Sequence, residues 1–236
     1  MKIFVYNASC RNDNSYGLHI ATSIISKIEI KANAKFDVII RSPLNTKIEI
    51  CKGCAYCFNN GRCVIRDDIN IVKRELEESD LIIFVTPVFA HNVSGSMKNL
   101  IDRISHWIHL MHLRGKMGLS IVVSSTNGEN YVLAYLKKIM EYLGIVTLRD
   151  IAIPVDVMSK EAIQSVIEFE SECIWNKINL GEFSISPQQE MFFKLQKEII
   201  KKQIPESYER IYWEKNGLAK SNTFEDVFRS AYHFGR

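Results

Sequence analysis

Residues 81–90 read LIIFVTPVFA, and the first five of these side chains are all apolar. A strand that is apolar on both faces is typical of a parallel sheet with helices packed on each side. Thr86 and Pro87 end the apolar run, so it is too short to span a lipid bilayer. Residues 81–90 are therefore predicted to form a central, buried strand that leads into a polar loop.

The segments on either side alternate between strand and helix patterns. Apolar and β-branched runs predict four further strands, at residues 2–6, 36–40, 117–124 and 145–153. Apolar side chains at helical spacing predict four helices between these strands, at residues 18–28, 69–76, 94–112 and 129–143. Five strands interleaved with four helices indicate a doubly wound, five-stranded parallel α/β sheet.

The chain divides into a core and a C-terminal extension. A fifth covering helix at residues 161–178 would complete a core domain of residues 1–180. Residues 181–236 then form an extension with one amphipathic helix near residues 191–199 and an aromatic-rich end. Segments under about 60 residues seldom bury a core of their own. We therefore expect this extension to dock on a partner subunit or over the mouth of the ligand site.

Charge and composition exclude several classes of protein. The chain has 30 basic and 27 acidic residues, a net charge of +3, and it lacks the basic stripe of a nucleic-acid-binding protein. No apolar stretch is long enough for a membrane span. The sequence turns polar directly after Tyr6, which leaves no room for the apolar part of a signal peptide. We expect a cytoplasmic protein with no nucleic-acid or membrane partner.

Three loops follow predicted strands at the carboxyl edge of the sheet, where open parallel sheets bind ligands. The first, at residues 7–15, reads NASCRNDNS and precedes a helix, whose N-terminal N–H groups and dipole favour a phosphate. Plain capping of the helix by Asn14 or Ser15 explains the same residues equally well. The loop has neither the dinucleotide fingerprint nor a Walker lysine, which argues against a Rossmann dehydrogenase and a P-loop NTPase.

The other two loops have different side chains. Residues 86–95 place Phe89 and several polar groups at the end of the central strand, an arrangement that suits a flat heteroaromatic ring. Residues 124–128 read SSTNG and offer small side chains and accessible backbone amides. Taken alone, this third loop is most simply an ordinary strand-to-helix turn.

Four of the six cysteines fall within thirteen residues, at Cys51, Cys54, Cys57 and Cys63. In a reducing compartment this cluster indicates metal or redox chemistry before disulfides. The spacing Cys-x2-Cys-x2-Cys-x5-Cys allows four thiolates to reach one compact iron–sulfur cluster, and it is too tight for the separated knuckles of a structural zinc site. A loop of merely structural cysteines is the alternative.

These motifs resemble those of the NADPH-dependent FMN reductase group of flavodoxin-like proteins and, within it, the iron–sulfur flavoproteins. The first loop is similar to the phosphate loop of that family at Ser9, Arg11, Asn14 and Ser15. TPVF at residues 86–89 resembles its (Ser/Thr)-Pro-x-(Tyr/Phe) flavin loop, and MKNLIDR at residues 97–103 resembles the helix that follows. The cysteine segment is similar to the one before the second helix of the family.

The resemblance implies a flavodoxin-like fold with FMN held by all three loops. The implied cofactor-binding residues are Ser9, Arg11, Asn14, Ser15, Thr86, Pro87, Val88, Phe89, Ser124, Thr126, Asn127 and Gly128. It further implies that NAD(P)H passes a hydride to flavin N5, and that the flavin passes electrons to a small molecule or an electron carrier. The implied ligands of a [4Fe–4S] cluster are Cys51, Cys54, Cys57 and Cys63.

Two other functions stay open at this point. The first is an iron–sulfur flavoprotein that carries electrons from ferredoxin and has no nicotinamide site. The second is a regulatory or scaffold protein that keeps the fold without flavin. Because family-like proteins assemble with their flavins near subunit interfaces, the resemblance also implies a homodimer or homotetramer. His106, His109 and His112 span too wide an arc of one helix to share a metal ion.

Overall fold

A computed structural model of the protein describes residues 1–11 and 14–232. The strands are β1 (Lys2–Asn7), β2 (Asp37–Arg41), β3 (Leu81–Phe89), β4 (Asn92–Val93), β5 (Met117–Ser124) and β6 (Val146–Pro154). The helices are α1 (Tyr16–Ala32), α2 (Tyr56–Asn60), α3 (Ile69–Glu78), α4 (Gly95–Arg103), α5 (His106–Leu110), α6 (Glu129–Leu143), α7 (Lys160–Leu180), α8 (Pro187–Lys201), α9 (Tyr208–Lys215) and α10 (Phe224–Ala231).

Five strands form a parallel sheet in the order β2-β1-β3-β5-β6, which confirms the doubly wound α/β fold. Val5 pairs with Ile83, and Ile83 pairs with Leu119, so the predicted central strand lies between β1 and β5. The strand order reverses direction at β1, and open sheets bind ligands at such a switch point. The two-residue strand β4, which the sequence pattern did not predict, pairs antiparallel with the end of β3.

Helices α1 and α7 cover one face of the sheet. Ile20, Ile24 and Ile28 recur every four residues on α1, so they form one apolar stripe, and all three are buried against the strands. Ion pairs join Lys27 to Glu168 and Lys31 to Glu172 along the outer seam of the two helices. Of the described helices, none is long and apolar enough to cross a bilayer.

The opposite face is covered by α3 to α6 and by the C-terminal extension. The single helix predicted at residues 94–112 is two helices, α4 and α5, because the chain leaves helical geometry at Ile104 before it resumes at His106. Helix α6 begins and ends where the apolar spacing predicted, and Gly144 in the left-handed region ends it.

The described part of the extension packs on this second face. The aromatic side chains that it buries are Phe193, Trp213, Phe224 and Phe228. The Nε1–H of Trp213 donates a 2.9 Å hydrogen bond to the carbonyl of His109 on α5. Burial of each of these aromatic side chains contributes about 1.5–3 kcal/mol. Docking of the extension on a partner subunit or over the mouth of the ligand site stays a prediction.

Candidate functional site

A cleft of about 650 Å³ lies at the carboxyl ends of β1, β3 and β5. All three predicted loops contribute to its walls. The N-terminus of α4, at residues 94–96, and the loop after β6, at residues 155–156, complete the lining. The volume is within the range of about 300–1,000 Å³ that small-molecule and cofactor sites occupy.

The structure brings eight of the twelve predicted cofactor-binding residues to this cleft. They are Ser9, Arg11, Ser15, Thr86, Pro87, Val88, Phe89 and Ser124. Asn14 lines a neighbouring, more open pocket together with Arg11 and Tyr16. Thr126, Asn127 and Gly128 are not brought to the cleft, and the side chains of Thr126 and Asn127 are exposed.

The first turn of α1 forms the wall beside the first loop. The hydroxyl of Ser15 accepts a 3.3 Å hydrogen bond from the Leu18 amide, so Ser15 caps the helix, and it donates to Asn7 Oδ1 at 3.2 Å. A Cβ on Gly17 would lie 2.5 Å from Val85 Cγ1, so α1 approaches the sheet more closely than another residue would allow. The unpaired N–H groups of this first turn and the positive end of the helix dipole favour an anion.

Two serines that the sequence analysis missed tie α4 to the floor of the cleft. Ser94 donates a 3.0 Å hydrogen bond from its hydroxyl to the Ala8 carbonyl, and Ser96 donates a 2.8 Å bond to the same oxygen. The amide of Ser94 donates to the hydroxyl of the fully buried Thr86 at 3.1 Å. Since Ser94 also caps α4, the sequence signal for it was a serine directly before a helix.

The tip of the β3–β4 hairpin stands at the rim of the cleft. Ala90 and His91 form its turn with φ values of 49° and 58°, both in the left-handed region. Phe89 is 62% exposed at the end of β3, and the ring of His91 lies 5.5 Å from that of Tyr131 on α6. The rim therefore presents exposed aromatic surface, which suits contact with a planar ring.

The third loop is held by hydrogen bonds of its own. The buried hydroxyl of Ser124 donates to the carboxylate of Glu129 at the start of α6. The carbonyls of Ser124 and Ser125 accept 2.9 Å bonds from the amides of Val155 and Asp156. These bonds bring Asp156 to the cleft. No sequence pattern indicated that carboxylate, because only the pairing of β5 with β6 places the two loops together.

The four clustered cysteines line a second, smaller cavity of about 130 Å³. All six cysteines of the chain are free thiols; Cys54 is exposed, and the other three in the cluster are half-buried. Among residues 1–11 and 14–232, no three cysteine, histidine or carboxylate side chains stand where one metal ion could be held. A four-iron cluster takes one thiolate at each of its irons, and four is the number of clustered cysteines that line this cavity.

Arg103, the last residue of α4, fastens the cysteine segment to the fold. Its guanidinium donates to both carboxylate oxygens of Asp67, at 2.5 and 3.0 Å, and to the carbonyl of Glu49 at 2.6 Å. It also donates a 3.5 Å hydrogen bond to the sulfur of Cys63. The Arg103 and Asp67 side chains are both buried, so this pair is a strong, fixed link.

Positive charge near Cys57 opposes, without cancelling, the effect of burial on its thiol. Burial raises the pKa of the Cys57 thiol, and the nearby Lys73 acts in the opposite direction. Burial likewise opposes the charge of Arg103, but its hydrogen bonds and ion pair with Asp67 raise its pKa overall. Arg103 is the last residue of the MKNLIDR motif, but the motif indicates no role for it at the cysteines, and no motif marks the buried Lys73.

The three regularly spaced histidines have separate partners. His106 lies 3.3 Å from the Nζ of Lys73, and it is buried. His109 lies 2.7 Å from the carboxylate of Glu209, whereas His112 lies 2.6 Å from that of Glu77. Each ring therefore serves a different contact between helices.

Comparisons with known proteins place the cleft in context. The sequence model of the NADPH-dependent FMN reductase family matches residues 1–158. An iron–sulfur flavoprotein of Archaeoglobus fulgidus is 40% identical over 115 residues, which are 48% of this chain and 52% of that protein. An iron–sulfur flavoprotein of Methanocaldococcus jannaschii is 30% identical over 129 residues, or 54% of this chain and 65% of that protein. The chain thus spans less than two thirds of the length of these curated relatives.

A solved structure shows the same fold at low identity. The FMN-dependent NADH-azoreductase from Bacillus anthracis, solved in complex with FMN, aligns with a TM-score of 0.56 over 75% of this chain and 99% of that chain. The two sequences are 14% identical, so this likeness concerns the fold alone.

Proposed function

The chain belongs to the NADPH-dependent FMN reductase family, and on that premise we propose that it is an FMN-dependent oxidoreductase that uses NAD(P)H as its electron donor. The observation that carries the proposal is the cleft at the carboxyl ends of β1, β3 and β5, where eight predicted residues converge. Bound FMN would supply the redox chemistry, since its N5 takes a hydride from the nicotinamide, which is oxidised, before both electrons leave to an acceptor.

The first loop would hold the phosphate of FMN. Arg11 supplies a positive charge at the cleft, while Ser9 and the first turn of α1 supply further hydrogen-bond donors. The role of Ser15 is indirect. Its hydroxyl caps α1 and bonds to Asn7, and both hydrogen bonds fix the position of the first turn of the helix. A charge-assisted hydrogen bond to an anion contributes about 1.5–3 kcal/mol.

The second loop and the floor of the cleft would orient the flavin ring. Val88 and Phe89 provide apolar and aromatic surface at the mouth. Thr86 is fully buried and is fixed by Ser94, so the loop is held in place before a ligand arrives. Such prior ordering of a site reduces the entropic cost of binding.

The acceptor and the assembly belong to the same proposal. The exposed rim at Phe89 leaves room for a small molecule or an electron carrier to reach the ring. We propose a homodimer or homotetramer in the cytoplasm, as the family resemblance implies. Light scattering of the full chain measures the assembly, and a purely monomeric protein would contradict this part of the proposal.

The four clustered cysteines support a second candidate function, that of an iron–sulfur electron carrier. Cys51, Cys54, Cys57 and Cys63 would hold a [4Fe–4S] cluster, which transfers single electrons. The shared cavity and the cations beside it favour an anionic group at this place. In this case ferredoxin, rather than NAD(P)H, would be the donor.

One set of measurements separates these functions. The protein is purified without oxygen, its visible spectrum and its iron and sulfide contents are recorded, and it is then mixed with NADH, NADPH or reduced ferredoxin in a stopped-flow instrument. Bleaching of bound flavin by a nicotinamide supports the first function, and bleaching by ferredoxin alone supports the second. A colourless protein that takes up no FMN contradicts both and favours a flavin-free scaffold.

The variant Arg11→Ala tests the phosphate site directly. We expect it to weaken FMN binding by about 10-fold or more, the loss of one charge-assisted hydrogen bond, and to leave riboflavin binding unchanged. Calorimetry with both ligands measures this difference. Arg66→Ala, which removes an exposed arginine outside the cleft, is the matched control and should bind both ligands like the wild type. An equal loss for riboflavin would show that Arg11 does not contact the phosphate.

A further inference from the structure

Helix α8 carries a row of large apolar side chains on the face that it turns to solvent. Met191, Leu195 and Ile199 are 65%, 58% and 44% exposed. Two polar side chains, Gln189 and Gln196, are among the buried residues of the opposite face. A surface helix normally has its polar residues outside and its apolar residues inside. Contiguous exposed apolar surface of this kind marks a place where another molecule binds.

The three exposed side chains form one continuous stripe with Leu195 at its centre. Successive members are four residues apart, so they are separated by about 6 Å along the helix axis and by about 40° around it. Rows of residues four apart are the ridges that interlock when two helices pack against each other. The stripe therefore has the geometry of a helix-packing surface.

The apolar surface continues from α8 onto α6. The ring of Phe192, beside the stripe, stacks on the ring of Tyr142 with centres 3.8 Å apart and 8° between the planes. The Nζ of Lys138 lies 5.6 Å from the centre of the Tyr142 ring. A stable interface buries about 800 Å² on each partner, so this part of α6 adds to the area that α8 provides.

The charges beside the stripe suit a second copy of the same helix. Lys194 and Glu198 are one turn apart, so they lie on the same side of the stripe. Lys194 is 3.4 Å from Glu190, and Glu198 is 2.5 Å from Lys201, within the same helix. Exposed pairs of this kind contribute little, so their charges can exchange partners when another surface arrives. A two-fold axis would bring the positive side chain of each copy to the negative side chain of the other.

We propose that α8 packs antiparallel against α8 of a second copy of this chain, with the two-fold axis at Leu195. Leu195 then meets Leu195 of the second copy, and Met191 meets Ile199. Glu198 lies about 4.5 Å beyond the axis and Lys194 of the second copy about 1.5 Å beyond it, so the opposite charges face each other twice. The inference rests on the self-association in the proposed function and names the surface that mediates it.

The test places a charge on the axis. The full-length, FMN-loaded protein and its variant Leu195→Glu are compared by sedimentation velocity over a range of concentrations. We expect the dissociation constant of the contact to rise by about 100-fold or more, because two carboxylates would meet at the axis. If the wild type is a tetramer, the variant should sediment as a dimer. Leu180→Glu, at an exposed leucine that ends α7, is the matched control and should sediment like the wild type.

Exchange of the two charges tests whether the occupant is a second copy. Lys194→Glu and Glu198→Lys should each weaken the association by about 3- to 10-fold, because each places like charges opposite each other. The double variant restores opposite charges across the axis and should recover an affinity within about 2-fold of the wild type. A partner of different sequence would not regain affinity in the double variant. Circular dichroism should show the same helix content in all variants, since these side chains face solvent.

The outcomes separate this inference from the proposed function. An oligomer that Leu195→Glu leaves intact would overturn the role of α8, and the proposed assembly would then use another surface. No recovery in the double charge variant would overturn the antiparallel pairing. A wild-type protein that stays monomeric at all concentrations would overturn both the assembly and this inference. FMN binding and reduction by a nicotinamide would still stand in each of these cases.

Discussion

Glu141 is a buried carboxylate whose charged form lowers the stability of the folded state. The residue is 2% exposed on α6, and its Oε2 has no hydrogen-bond partner among the described residues. Burial raises the pKa of Glu141, and this effect exceeds the lowering by a hydrogen bond with Ser186 and by the charge of Lys137; the charge of Asp150 adds a smaller increase. The folded state therefore binds a proton more readily than the unfolded state. Stability from this group is present at low pH and is lost as the pH rises through its raised pKa.

The variant Glu141→Gln should stabilise the protein at neutral pH. We expect the free energy of unfolding to rise by about 1–2 kcal/mol at pH 7–8, because an unsatisfied charged oxygen is replaced by a neutral amide. At pH 4 the gain should disappear, since the wild-type carboxyl is then protonated. Urea denaturation at the two pH values measures this difference. The exposed Glu182→Gln should change neither value, and an equal gain at both pH values would refute the explanation.

The sequence was enough to predict a site residue where the strand that carries it decides its position at the cleft. Thr86 to Phe89 form the carboxyl end of the central strand β3, so their position at the cleft follows from the strand alone. Gly128 has a φ of 96° and does not line the cleft, although a Cβ at this position would lie 3.0 Å from Val88 Cγ1. Asp156 was missed for another reason: its position depends on a neighbouring strand.

Among the secondary-structure elements, strand and helix periodicity predicted the sheet and most of its helices. Apolar spacing continues from α4 into α5, so it does not reveal the break between them. The β3–β4 hairpin was missed because Ala90 and His91 take positive φ values without the glycine or asparagine that usually marks such a turn. Hydrophobic periodicity shows which face of a strand or helix is buried, but it does not show the backbone angles of single residues.

The close approach of α1 to the sheet gives a prediction about this element. In Gly17→Ala the new Cβ would lie 2.5 Å from Val85 Cγ1, so the helix must shift. We expect a loss of about 1–3 kcal/mol in unfolding free energy, typical of overpacking, together with weaker FMN binding. Thermal unfolding and FMN titration check both effects.

Gly95→Ala is the control for stability, since nothing lies within 4 Å of a Cβ at that position at the start of α4. It should leave the unfolding free energy unchanged or raise it by up to about 1 kcal/mol, because alanine favours a helix. If both glycine variants were equally stable, the tight contact between α1 and Val85 would not matter for the fold.

Across the whole molecule, the extension and the core share one apolar cluster. Trp213 is fully buried, stacks near Phe193 with ring centres 5.6 Å apart, and bonds to His109. The described part of residues 181–236 therefore buries its aromatic side chains in the core cluster and not in a core of its own. Sequence alone shows that this segment must dock, but the face that it covers depends on shape complementarity with α5 and α6.

Trp213→Ala should therefore destabilise the protein as a whole. We expect a loss of about 3–5 kcal/mol, as for other large buried aromatic side chains, in a single transition. Circular dichroism and the release of bound FMN should report the same midpoint. Ile211→Ala, on the exposed side of the same helix, should cost under about 1 kcal/mol. An extension that melts by itself while the core keeps its FMN would contradict this coupling.

Tyr208, the first residue of α9, lies against Gly61, the residue that ends α2. A Cβ at Gly61 would lie 2.3 Å from the tyrosine ring, so α9 forms a side wall for the turn that follows the third cysteine. The ribosome releases the cysteine segment before it releases α9, because α9 lies later in the chain. The side of Gly61 that Tyr208 covers therefore stays open during synthesis until α9 has emerged and packed.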